Sequence, residues 1–170
     1  MQKFTVQKLA TAGVVGAAYA ALALFGSIFG VTYGPIQCRF SEALTVLPFL
    51  NPLATWGLFV GCILSNILSP YGPLDLIFGS LATLLAGLLT ARCKNKWLAP
   101  LPPVICNGIL VGGLISYQEV GFTAAFGGTF LFNAATVALG ELAVCYVLGL
   151  PLLAVMAKAK IFGDPSPALR

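Results

Sequence analysis

A chain of 170 residues in which 59% are hydrophobic and only 8% are charged, with a mean hydropathy of +0.97, lies far from a soluble domain, where about a quarter of residues carry charge. Its formal net charge is +4, yet the basic residues fall in short clusters between apolar runs, so attraction to anionic inner-leaflet lipids accounts for them without nucleic acid. Composition therefore predicts an all-α polytopic membrane protein. The long unbroken apolar runs disfavour a barrel, whose strands alternate apolar and polar residues over about ten positions, whereas helices satisfy their own backbone hydrogen bonds in lipid.

The first apolar run, Leu9 to Gly30, follows Lys3 and Lys8 and exceeds the roughly 7 to 15 residues of a signal peptide's apolar region, so it is expected to stay as a first span. Pro35 to Leu50 makes a shorter second piece, ended by the turn-favouring pair Asn51-Pro52. Leu53 to Leu68 is a third. Leu74 to Ala91 is a fourth, bounded by "SPYGP" and "RCKNK". Leu98 to Tyr117 is a fifth. After a glycine-rich loop around "GFTAAFGG", a last run extends from about Thr129 to Ala157. No linker divides residues 1–170, so a single membrane-embedded domain is expected, with "IFGDPSPALR" as a short loose end.

Lys and Arg in short loops gather on the cytoplasmic side. The clusters Lys3/Lys8, Arg92/Lys94/Lys96 and Lys158/Lys160 share one side if the chain crosses six times with both termini cytoplasmic. A single kinked span over residues 35–68 would give five crossings and put "RCKNK" outside. In the six-span layout Trp56 and Trp97 fall at the inner interface and Tyr33, Tyr71 and Tyr117 at the outer, as aromatic belts do.

Ionisable and amide groups stand out against this apolar background, because charge within a span is costly. Arg39 and Glu42 lie just inside the outer end of the second span. Either they form an i, i+3 ion pair closing the helix start, or they line a solvent-reached cavity and contact a ligand. Asn66 and Asp75 lie near the outer ends of the third and fourth spans, Asn107 midway along the fifth, and Asn133 and Glu141 in the sixth. Glu141 falls close to the bilayer middle with no basic residue at matching depth. It is therefore expected to be protonated or to meet an amide or a donor-bearing ligand, an interhelical bond to Asn107 being the structural alternative. Polar groups concentrate in the outer half, so the implied pocket opens outward. Phe122, Phe126 and Phe130 recur at intervals of four and would share one helical face, able to stack on a flat ring or simply to pack, with Gly127 and Gly128 giving the loop freedom to move.

Gly13, Ala17 and Ala21 form a smooth stripe on the first span, suited either to packing within the bundle or to docking a separate membrane subunit. The chain carries no G-x-x-x-x-G-K-[ST] motif, so any nucleotide motor must be another chain. With no histidine and no C-x-x-C pair among Cys38, Cys62, Cys93, Cys106 and Cys145, no metal site, cofactor or enzymatic nucleophile is expected, and the cysteines read as apolar filler.

The stretch "GPIQCRFSEALTVLPFLNPLATWGLFVGCILSNI", with "LDLIFGSLATLLAGLLT" and "APLPPVICNGILVGG", resembles the queuosine-precursor transporter (QueT-type) family of substrate-binding S components of energy-coupling factor (ECF) transporters, over about residues 5 to 157. The resemblance implies a six-helix bundle that takes a small vitamin-like molecule from outside and associates with a scaffold T component and two ATPases, with Ala17 and Ala21 on the docking surface. It implies a deazaguanine ligand, whose ring N–H and amine one carboxylate accepts as a pair. On that footing Glu141 or Glu42 takes the guanine-like edge, Asn107 and Asn66 orient the ring, Asp75 meets an aminomethyl group, and Arg39 holds Glu42 or the loop. The rival reading is an autonomous ion-coupled carrier relaying protons through Asp75 or Glu141, although no inverted repeat of the kind common in such carriers is visible.

Overall fold

The computed structural model describes residues 6–30, 38–159 and 161–162, and their regular structure is helical throughout. Helix α1 (Val6–Ile28) contains no proline and closes in a tightened turn, with Gly30 in the left-handed region at φ 69°. It packs along α2 (Ala54–Asn66). A Cβ on Gly16 would lie 2.7 Å from the Gly57 carbonyl oxygen, and one on Gly57 would run into the Ala12 backbone. Backbone rests on backbone there, the close approach that small residues permit between helices in lipid. Gly16 thus does the packing within the bundle, while Gly13, Ala17 and Ala21 remain exposed on α1's outer face.

Between these two helices lies the main departure from expectation. Instead of an α-helical span from Pro35 to Leu50, residues Phe40–Phe49 form a 3₁₀ helix, and residues 34–37 lie outside the described residues. One feature of the sequence opposes the α form, since the Pro48 ring would collide with the Leu44 carbonyl in an α-helix. The Thr45 hydroxyl donates to the Glu42 carbonyl at 2.6 Å. At three residues per turn side chains eclipse every third position, so the segment has three flat faces. Leu44 and Leu47 pack with Val15, Tyr19 and Leu58. Val46 and Phe49 pack with Ala99 and Leu153. Glu42 and Thr45 form the third, polar face. Every residue from Ser41 to Phe49 is buried, which makes the segment an internal strut touching α1, α2 and the helices that follow.

The Asn51-Pro52 turn forms as expected, with the Asn51 Oδ1 accepting the Leu53 N–H at 3.1 Å. Helix α3 (Pro73–Thr90) begins after Gly72, at φ 65°, with Pro73 in the first turn, where a missing N–H costs nothing. Helix α4 (Leu101–Val120) ends at Gly121, φ 60°. Helix α5 (Phe126–Val144) starts earlier than the Thr129 expected, so Gly127 and Gly128 lie in its first turn and not in a loop. It continues through a π turn, Cys145–Gly149, into α6 (Leu150–Lys158). The widened turn, in which Leu150 N–H reaches back to the Cys145 carbonyl, directly precedes Pro151, whose ring a regular turn would drive into the Val147 carbonyl. Successive helices α1 to α4 pack side by side in chain order, with α5 against α4. Among the described residues, four helical runs are long and apolar enough to cross a membrane: Leu9–Ile28, Pro73–Thr90, Leu101–Val120 and Phe126–Lys158. The 3₁₀ helix and α2 are shorter apolar pieces.

Candidate functional site

The polar face of the 3₁₀ helix organises two clusters, one turn apart, the Glu42 N–H bonding the Arg39 carbonyl at 3.0 Å. The first cluster joins the start of this helix to the α2–α3 turn. Arg39 donates to the Asp75 Oδ2 at 3.1 Å and lies 3.5 Å from the Asn66 Oδ1. Ser69 donates to the same Asp75 oxygen at 2.6 Å, and the Asn66 amide donates to the Asp75 main-chain carbonyl at 3.0 Å. Asp75 sits in the first turn of α3, where the helix dipole also favours a negative charge. Gly79, one turn on, leaves space that a Cβ would deny to the Asp75 carboxylate and the Asn66 amide. Of the two partners expected for Arg39, Glu42 is corrected to Asp75, while the loop before it lies outside the described residues. The buried Arg39 guanidinium forms an ion pair with Asp75, at 6% and 0% exposure. Asp75, expected to meet a ligand's aminomethyl group, already faces a cation from within the chain. The short α2–α3 turn brings position 75 beneath position 39, a proximity that local sequence does not announce.

The second cluster is central. The Asn107 amide, on α4, donates to the Glu141 Oε1 at 2.8 Å and lies 3.4 Å from the Glu42 Oε2. One side-chain amide therefore bridges two carboxylates from different elements, and the bond to Asn107 considered for Glu141 is present. The other Glu42 oxygen accepts a hydrogen bond from the Tyr19 hydroxyl of α1. Cys145 lies 3.7 Å from the Glu141 Oε2, and its thiol donates to the Glu42 carbonyl at 3.4 Å. Glu42, Asn107 and Glu141 are exposed by only 1%, 4% and 3%, so each depends on protein partners in place of water. Chemically the cluster is rich in acceptors. Both Asn107 N–H groups are directed at the carboxylates, leaving carboxylate lone pairs and an amide oxygen for a partner that brings donors.

Of the residues singled out from sequence, Arg39, Glu42, Asn66, Asp75, Asn107 and Glu141 fall into these two clusters. Phe126 and Phe130 go elsewhere. Their rings stack at 6.1 Å with planes 11° apart, and Phe126 continues through Phe122, 5.2 Å away, to Tyr117. Phe126 helps line an apolar groove of about 440 Å³ between α3 and α4, with Leu74, Phe78, Ile109, Leu114 and Tyr117. The lining of that groove is almost wholly apolar, with few groups able to hydrogen-bond a polar ligand. Asn133, the other polar group noted on the sixth span, is buried and donates to Ser116 at 3.1 Å and Glu119 at 2.8 Å. Sequence reasoning missed Tyr19, Thr45, Ser69 and Cys145. A tyrosine midway along an otherwise apolar first span was the one signal available.

The family profile described as QueT transporter matches residues 9–158 of the chain. The chain is 31% identical over 156 residues to the Queuosine precursor transporter QueT of Lactococcus lactis subsp. cremoris (strain MG1363), a similarity covering 86% of this chain and 90% of the relative. No solved structure matches it.

Proposed function

The chain belongs to the QueT transporter family, a multi-pass cell-membrane protein, and we propose that it captures a queuosine precursor from outside as the substrate-binding subunit of an ECF-type importer. In this reading the 3₁₀ helix and α2 serve as short second and third spans, giving six crossings with both termini cytoplasmic. The precursor is a deazaguanine such as the aminomethyl form. Its scaffold T component docks on the exposed Gly13, Ala17 and Ala21 of α1, and two ATPase subunits supply the energy.

The observation that carries the proposal is the buried Glu42–Asn107–Glu141 bridge. A guanine-like edge presents adjacent N–H and amine donors, the complement of a carboxylate, and an aminomethyl cation would offset the second carboxylate. Within the buried set, Glu42 and Glu141 exceed the charge that Arg39 already balances in Asp75, so a cationic, donor-rich solute suits this interior. Asn66 and Asp75, with Arg39, secure the wall of the site.

The test is thermal stabilisation of the purified chain in detergent by aminomethyl deazaguanine, cyano deazaguanine, guanine, riboflavin and biotin. A ligand at a hundredfold excess over Kd stabilises the folded form by about 2.7 kcal/mol, enough to register. Stabilisation by deazaguanines, reduced in Glu141→Gln, is the expected result. A folded protein indifferent to every purine-like compound would remove the substrate assignment. Uptake by vesicles containing this chain alone, without ATP, would replace the ECF partnership with an autonomous carrier.

A further inference from the structure

We propose that Tyr19 is a positioning residue that orients Glu42, and that Glu42 rather than Glu141 therefore reads the paired donors of the ligand; this rests on the substrate reading above. The two carboxylates are held very differently. Glu42 is anchored through one oxygen by a hydrogen bond from the Tyr19 hydroxyl, whose side chain is 0% exposed and wedged among Val15, Leu44, Leu47 and Leu58. Its backbone is fixed as well, because its carbonyl accepts the Thr45 hydroxyl at 2.6 Å and the Cys145 thiol at 3.4 Å. Glu141 has a firm contact at one oxygen, Asn107 at 2.8 Å, and at the other only a thiol at 3.7 Å.

Two adjacent donors demand a carboxylate whose plane is set before the ligand arrives, since ordering it afterwards lowers affinity. A carboxylate oxygen has two lone pairs, so the Glu42 Oε1 can hold Tyr19 and still accept a ligand donor. Oε2, only 3.4 Å from Asn107, is weakly engaged and open to the second donor. Asn107 belongs mainly to Glu141, and a ligand bond at the Glu42 Oε2 displaces little. The Tyr19 ring comes from α1, so the orientation of the reading carboxylate depends on the seat of α1 against α2, set by the Gly16–Gly57 contact three residues earlier.

The experiment measures binding of aminomethyl deazaguanine and of its analogue lacking the ring amine to the full chain and to Tyr19→Phe, Glu42→Gln, Glu141→Gln and Tyr19→Phe/Glu42→Gln, with ligand-free melting as the folding control. Tyr19→Phe keeps the buried ring and removes only the hydroxyl, so it is expected to weaken the parent compound about tenfold, the scale of a hydrogen bond to a charged group. The preference over the amine-less analogue should collapse with it, which a purely structural loss would leave in place. Glu42→Gln should abolish the same preference, with no further effect of Tyr19→Phe in that background. Glu141→Gln should weaken both compounds alike and keep their ratio. The proposal is overturned if Tyr19→Phe keeps the preference, if the two substitutions act independently, or if Glu141→Gln rather than Glu42→Gln removes it; this last comparison stands even where Tyr19→Phe does not fold. Wild-type protein that binds neither compound overturns the substrate reading together with this proposal, whereas wild-type binding with an unaltered preference in Tyr19→Phe overturns this one alone.

Discussion

Replacing Asn107 tests the central bridge directly. Its amide sends one donor 2.8 Å to Glu141 and another 3.4 Å toward Glu42, both carboxylates being almost wholly buried. The shorter contact has the geometry of a charge-assisted hydrogen bond, worth about 1.5–3 kcal/mol in a water-soluble protein. The longer one is near the limit of donor reach and adds under about 1 kcal/mol. In a bilayer the same bonds measure lower, about 0.6 kcal/mol on average and about 1.7 at most, because the unfolded chain in the membrane finds other partners. The membrane values govern here, so losing both donors is expected to cost about 1–2 kcal/mol, most of it from the Glu141 side. Asn107→Leu is the cleaner variant, since it removes both donors without leaving the void that Asn107→Ala adds. Unfolding of the ligand-free protein in detergent reads the loss, and Asn107→Leu/Glu141→Leu should recover much of it by removing the stranded carboxylate as well. If Asn107→Leu matches the wild type within about 0.5 kcal/mol, the bridge contributes nothing and the reasoning from its geometry fails.

Asp75→Asn removes the charge facing Arg39 and should cost about 3–5 kcal/mol, the usual penalty for breaking a buried pair from one side, with Arg39→Met/Asp75→Leu recovering most of it. Equal melting of the single and double variants would show that the pair is not an energetic unit. Gly57→Val places a side chain against the Ala12 backbone, so α1 must move off α2 at about 1–3 kcal/mol. Because Tyr19 moves with it, deazaguanine-dependent stabilisation should fall too, and an unchanged response would uncouple α1 from the site. Gly121→Ala forces a Cβ onto a backbone at φ 60°, ψ −164°, a region essentially reserved for glycine, costing about 1–3 kcal/mol. Gly127→Ala, helical and with nothing within 4 Å of the added Cβ, is the control expected to be neutral or slightly stabilising, and equal losses in both would refute the conformational cause.

The sequence by itself determined the membrane class, the helical character and the positions of most apolar runs, because in lipid a chain has few ways to satisfy its backbone and uninterrupted apolar stretches mark where it does so. It also determined the roster of candidate groups. Arg39, Glu42, Asp75, Asn107 and Glu141 are conspicuous since each is expensive in such a setting. It left their pairing undecided. The bond between Asn107 and Glu141 was within reach of sequence reasoning as one option, but Arg39 finds Asp75 across 36 residues and Glu42 finds Tyr19 across 23, distances over which local pattern carries no information. Tyr19 was hidden for a different reason. A tyrosine in an apolar span is chemically ordinary until its hydroxyl has a named acceptor. The form of Phe40–Phe49 was likewise decided by tertiary structure. Pro48 disfavours an α-helix locally, yet a ten-residue 3₁₀ helix persists only because all three of its faces are packed, two against apolar neighbours and the third against the carboxylate centre. Which buried charge meets which partner is set by the mutual placement of helices, and that placement arises from the sum of many weak contacts, no single one of which is written in a short stretch of chain.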